Sequence, residues 1–278
     1  MNLRPEQYNP KLIDYVIELL EDDMPLDRII TVTGLEYEEI MGLLTYAKVS
    51  LDTLREYIPN LTITDDKAII CSDTHIGSKY ENRGYIEMML DYAIRNNITS
   101  IIHGGDLLHS NKKGVKRDYD DLEDQINHFL YYYSAARGIT NYILLGNHDV
   151  HLMKRKPNAY EIINNRKDLK IIGVKKAYFE FSDLLVAIYH KIDKYKMELP
   201  NIPTDINLHG HRHECRVKDD NIWIPTLSDD VKMYFNETNA PGFLVMNDYK
   251  TAVGIDQILI SNRRISKRDN IYVKNKTL

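Results

Sequence analysis

The sequence predicts an α/β protein, a two-sheet α-β-β-α sandwich preceded by a small all-α helical module. Three observations carry that expectation. Apolar residues recur at helical spacing from about residue 11 to 56, the period changes after Pro59 to short β-branched or Leu-rich runs, and the stretch from about 169 to 260 is strand-rich. With 278 residues there is length for one large domain and a small one. At 43% hydrophobic and 28% charged residues without low-complexity tracts, the chain is neither disordered nor collagen-like.

The helical module, residues 1–58, is read from Leu12, Ile13, Val16, Ile17, Leu19 and Leu20, then Leu26, Ile29 and Ile30, then Ile40, Leu43 and Leu44. Gly34 falls between the second and third segments, where a tight turn needs positive φ, so the module resembles a helix-turn-helix. Buried strands are expected at 68–71, 100–103, 142–145 and 184–189, with helices at roughly 83–96 and 121–137 between the first three. That β-α-β-α-β order implies a largely parallel sheet in a domain spanning 59–262, followed by a basic tail, 263–278.

Charge is unevenly spread. Residues 1–60 hold 12 acids and 5 bases (net -7), and residues 261–278 hold 1 acid and 6 bases (net +5). Glu36, Glu38 and Glu39 open the third helical segment, where carboxylates would be repelled by DNA phosphates but favoured by the helix dipole. The module is therefore expected to contact protein, another copy or a partner. No apolar signal core follows Met1, no run approaches a membrane span, and Cys71 and Cys215 form no CxxC pair, so the expected location is the cytoplasm, without membrane contact.

The chemistry gathers at strand ends, in Asp73-Thr74-His75, Gly105-Asp106, Gly146-Asn147-His148-Asp149, His190 and Gly210-His211-Arg212-His213. In an open α/β sheet such ends border the crevice where ligands bind. Two carboxylates, a carboxamide and four imidazoles besides His148 form a nitrogen- and oxygen-donor set without thiolate. This suits Mn²⁺ best, with Fe or Zn²⁺ as alternatives. Seven donors exceed one ion's needs. Two divalent ions roughly 3.5 to 4 Å apart, sharing one carboxylate and an activated hydroxide, would leave a net positive pocket for phosphate.

These five blocks, in this order and spacing, resemble the calcineurin-like metallophosphoesterase superfamily from about Lys67 to Ile260. The resemblance implies that Asp73, His75 and His213 hold one metal, Asn147, His190 and His211 the other, with Asp106 bridging. It also implies that His148 contacts the phosphate and protonates the leaving oxygen. The wording of Gly104-Gly105-Asp106-Leu107-Leu108-His109 is nearest to the DNA-repair exonuclease branch, which places His109 beside His148 as a second catalytic candidate.

Basic residues crowd the loops that leave these motifs: Lys112, Lys113, Lys116 and Arg117, then Lys154, Arg155 and Lys156, then Lys191, Lys194 and Lys196, with Arg212 inside the last motif. Such a rim neutralises several phosphates, and Tyr119 and Tyr195 among them can stack on bases. The expected activity is a two-metal phosphodiesterase, a nuclease or nucleotide phosphodiesterase. The alternatives are a phosphomonoesterase on a small molecule or protein, and a DNA-binding regulator whose phosphoesterase domain senses a ligand.

Overall fold

A computed structural model describes residues 15–16, 19, 26–36, 39–40, 61–110, 121–133, 136, 138–156, 158–190, 204–229, 240–261 and 264–276. Contacts divide the chain into two units, residues 1–58 with 192–203 and residues 59–191 with 204–278. In the first unit, α1 (Leu26–Thr33) buries Ile29. It ends at Gly34, where φ is +68° and the N–H returns to Ile30 O at 2.9 Å. The turn read from the sequence is thus formed. Most of the helical segments before and after it lie outside the described residues.

In the second unit the strands are β1 (Thr62–Ile63), β2 (Lys67–Cys71), β3 (Ser100–His103), β4 (Thr140–Leu145), β5 (Leu169–Val174), β6 (Lys176–Phe181), β7 (Leu184–Tyr189), β8 (Ile206–His209), β9 (Arg216–Lys218), β10 (Asn221–Trp223), β11 (Gly242–Asp248), β12 (Ala252–Ser261) and β13 (Arg264–Asn275). The helices are α2 (Arg83–Arg95), α3 (Leu122–Tyr132), α4 (Asn147–Arg155) and α5 (Asn158–Asn164). Hydrogen bonding runs in the order β13-β12-β11-β2-β3-β4-β5, then β6-β7-β8-β10-β9, with β1 beside β6. The two halves are joined between β5 and β6 by the single pair Val174↔Lys176.

Two cores show how the halves stack. Ile69, Cys71, Ile101, Ile143 and Leu145 turn one face of the first sheet toward Met89, Phe129, Leu152 and Ile163 of the four helices. Ala68, Ile70, Ile102 and Leu144 on its other face meet Phe179, Val186, Ile188, Leu208 and Ile222 of the second sheet. Parallel strands buried on both faces carry unbroken apolar runs, which is why β2, β3 and β7 stood out in the sequence.

Three expectations need correction. α3 stops at Tyr132 rather than continuing to 137. The block Gly146-Asn147-His148-Asp149, read from the sequence as a strand end, is helical from Asn147, so His148 and His151 lie in a helix, and Asn147 and His148 diverge through helical rotation. Arg264–Asn275 is no tail but an edge strand, paired antiparallel to β12 from Ser261↔Arg264 to Ala252↔Asn275. Its Ile271 and Tyr272 pack on the core between the sheets, while its charged side chains stay in water.

Candidate metal centre

The loops after β2 and β3 are laced together by main-chain hydrogen bonds. Asp73 N donates to Gly105 O (2.9 Å), His75 N to Asp106 O (3.0 Å), Ile76 N to Leu107 O (2.9 Å) and His109 N to Ile76 O (2.9 Å). Asp73, His75, Asp106, His211 and His213 all take left-handed backbone, with φ of 56°, 45°, 55°, 74° and 55°. A non-glycine residue holds that conformation only where its surroundings impose it, and for Asp73, His75 and Asp106 the lacing fixes the directions of the side chains. Glycine is required next to them. A Cβ on Gly105 (φ +105°) would lie 2.3 Å from His190 Nδ1, and one on Gly146 would lie 2.2 Å from Asp106 Oδ1.

Three groups of side chains bring their donor atoms within 4.8 Å of one another and could hold a metal: Asp73, His75 and His213; Asp106, His190 and His211; and His75, His109 and His148. Around Asp73 Oδ1 stand His213 Nε2 at 3.2 Å, His75 Nε2 at 3.7 Å and His190 Nε2 at 4.0 Å. Asp106 Oδ2 faces His190 Nε2 at 3.0 Å, His75 Nε2 at 3.9 Å and His148 Nε2 at 4.0 Å. The remaining carboxylate oxygens are tethered to backbone, Asp73 Oδ2 by His211 N (2.9 Å) and Asp106 Oδ1 by His148 N (2.9 Å). Asn147 Oδ1 is buried with no hydrogen-bond partner, and Asp73 Oδ1 accepts none despite its three imidazole neighbours. Buried acceptors that converge without donors fit a cation.

Second partners orient the rings. His190 Nδ1 donates to Gly104 O at 2.6 Å, which leaves Nε2 facing the carboxylates, and His148 Nδ1 donates to His109 O, which leaves its Nε2 toward Asp106. The His109 ring stacks on His148, with centroids 5.2 Å apart and planes at 25°. Burial alone would raise the Asp106 carboxyl, but His190 and His148 outweigh it and hold it well below the usual carboxylate range. For Asp73, His213 and His190 likewise overcome burial. Burial pulls His190 down, yet Asp106 and Asp73 together push it up to about 9.

Two residues beside this set escaped the sequence reading as functional. Asp149 sits in the first turn of α4, buried, and accepts from Leu108 N (2.8 Å), Leu107 N (3.2 Å) and Gly146 N (2.8 Å), so it joins the Asp106 loop to the Asn147-His148 turn. Burial, then the neighbouring Asp106, pushes its carboxyl up to about 7. His103 accepts Gly105 N–H at Nδ1 (3.2 Å), so its Nε2 donates to Thr74 Oγ1 (3.1 Å), which donates to Leu107 O (2.9 Å). The signal for Asp149 was present as an acid three residues past Gly146, a helix N-terminal position; His103 gave none.

The rim is less complete than the centre. Lys112, Lys113, Lys116, Arg117, Lys191, Lys194, Lys196, Tyr119 and Tyr195 lie outside the described residues. Arg155 is exposed on α4, and Arg212 is exposed with Nη1 3.9 Å from Glu214. Lys156 is paired with Glu123 at 3.1 Å.

Two stacked sheets that present imidazoles and carboxylates from the ends of five strands define a phosphoesterase of the metal-dependent kind. The sequence profile of the calcineurin-like phosphoesterase family matches residues 67–261, and the chain belongs to that family. No curated protein matches it. Among solved structures, a novel archaeal phosphodiesterase is 19% identical (73% of this chain, 99% of that one, TM-score 0.42) and the phosphoesterase Yfce from E. coli 15% identical (73% and 99%, TM-score 0.45). Vps29 from Chaetomium thermophilum is 11% identical (78% and 100%, TM-score 0.47).

Proposed function

We propose that this phosphoesterase is a two-metal phosphodiesterase acting on nucleic acid or a nucleotide-like diester. The observation that carries the proposal is that Asp73, His75 and His213 form one group of converging donor atoms and Asp106, His190 and His211 a second, while Asn147 Oδ1 is buried without a hydrogen-bond partner. In this reading Asp73, His75 and His213 hold one divalent ion, Asn147, His190 and His211 the second, and Asp106 both, with Mn²⁺ best suited to the donor set. When bound, the ions supply Lewis acidity toward the phosphate and lower the pKa of a water.

The chain's own groups do the remaining work. His148, anchored at Nδ1 on His109 O, presents Nε2 toward the centre and delivers a proton to the departing oxygen; His109, stacked against it, shields that proton from water. Arg155, Arg212, Lys112, Lys113 and Arg117 bind further phosphates of a strand. The helical module contacts protein, and the two unpaired buried cysteines suit a cytoplasmic setting.

A substrate panel tests this. In Mn²⁺, the chain should cleave oligonucleotides or cyclic dinucleotides faster than aryl phosphate monoesters. Preference for monoesters would replace the proposal with a phosphomonoesterase.

A further inference from the structure

One buried side chain outside the motifs reaches the centre through the backbone. Gln125, on α3 and fully buried, places Oε1 3.0 Å from the Ser110 N–H. That N–H belongs to the same peptide group whose carbonyl, His109 O, accepts from His148 Nδ1. Both poles of one peptide are therefore engaged, a carboxamide oxygen on its N–H and an imidazole on its C=O, and hydrogen bonds aligned through one group polarise each other. The preceding peptide is held as well, by His109 N–H on Ile76 O at 2.9 Å. Ser110 sits at φ +60°, a conformation that serine adopts where it is imposed. Gly77 leaves the room for Gln125, because a Cβ there would lie 2.7 Å from Gln125 Cγ.

We propose that Gln125 is a positioning residue for His148. By fixing the His109–Ser110 peptide it presents a carbonyl that only accepts, so Nδ1 carries a proton in both the neutral and the cationic ring, and Nε2 stays aimed at the leaving oxygen through the cycle. The orienting group is uncharged, a carboxamide acting through a peptide, where an imidazole acid could instead rest on a carboxylate. The inference rests on the reading of His148 as the proton donor.

Gln125→Met keeps the length of the side chain and removes the acceptor, whereas Gln125→Glu keeps an oxygen there. Both are compared with His148→Ala in the full-length chain loaded with Mn²⁺, with bound metal, thermal midpoint, kcat and KM read on an alkyl diester and a p-nitrophenyl diester. Gln125→Met should retain metal and KM and lose kcat about tenfold on the alkyl diester, with less than about twofold loss on the aryl diester, which needs no proton. Gln125→Glu should restore kcat, and Gln125→Met added to His148→Ala should cost nothing further. Equal losses on both substrates, or additive losses in the double variant, would overturn the positioning role. If His148→Ala itself showed no leaving-group preference, the proton-donor reading would fall and this one with it; preference in His148→Ala but not in Gln125→Met overturns this one alone. Should Gln125→Met not fold, Gln125→Leu removes the same acceptor, and the imidazole ¹⁵N shifts of the Zn²⁺-loaded wild type must show His148 protonated at Nδ1.

Discussion

His190 stands between two carboxylates, and its position sets how the centre should respond to pH. With its folded value near 9 against about 6.5 for a free imidazole, it favours the proton in the metal-free chain. That stabilisation is fully present below pH 6.5 and lost as pH rises through 9, so the metal-free chain should lose about 2 kcal/mol between pH 7 and 9. An ion needs the deprotonated ring, so metal affinity should rise over the same interval with release of a proton, which calorimetry in two buffers of different ionisation enthalpy would detect. Affinity independent of pH would remove His190 from the ligands. The motif residues themselves were legible because Asp, His and Asn at strand ends have few other reasons to cluster. The roles of Asp149 and Gln125 were not, since each accepts a hydrogen bond from a backbone N–H of another segment, and that of His103 was not, since its ring meets the Thr74 hydroxyl from a neighbouring loop.

At the scale of elements, the turn from β4 into α4 is packed directly against Asp106. Gly146→Ala would put a methyl 2.2 Å from Asp106 Oδ1 and 2.3 Å from its backbone N, so this variant should fold with reduced metal content and at least about a tenfold loss of turnover. Metal analysis of the purified variant checks it, and wild-type content would show that the turn yields easily. At the opposite edge, Asp220 between β9 and β10 accepts from Tyr272 OH (2.6 Å) and Lys274 Nζ (3.1 Å) of β13, tying the last strand of one sheet to the last hairpin of the other. Asp220→Ala should lower stability by about 1 kcal/mol without changing turnover, as read by thermal melting. The long apolar strands announced themselves, whereas α4, with the sequence Asn147-His148-Asp149-Val150-His151, is too polar to show helical periodicity. β13 hid because its charges lie along an exposed edge, where no alternation is needed.

For the molecule as a whole, the sandwich was readable from the order of apolar runs, and the family from five short motifs that fall at the ends of β2, β3, β4, β7 and β8. What joins the two sheets in one ladder, the single pair Val174↔Lys176 around Lys175 at φ +61°, leaves no trace in composition. All the proposed ligands lie beyond residue 58, so deletion of residues 1–58 should leave hydrolysis of a small diester nearly intact, while the isolated acidic module binds DNA poorly in a mobility shift. Tight DNA binding by that module would point to a DNA-targeted enzyme or regulator. The central claim is that Asp106 joins two ions. Its most direct test is the metal content of Mn²⁺-saturated wild type and Asp106→Asn, measured with turnover on the same samples. The account predicts two ions per chain in the wild type, and fewer than one with turnover abolished in the variant, because a neutral amide cannot replace the shared charge. Two ions retained in Asp106→Asn with near-normal turnover would contradict it.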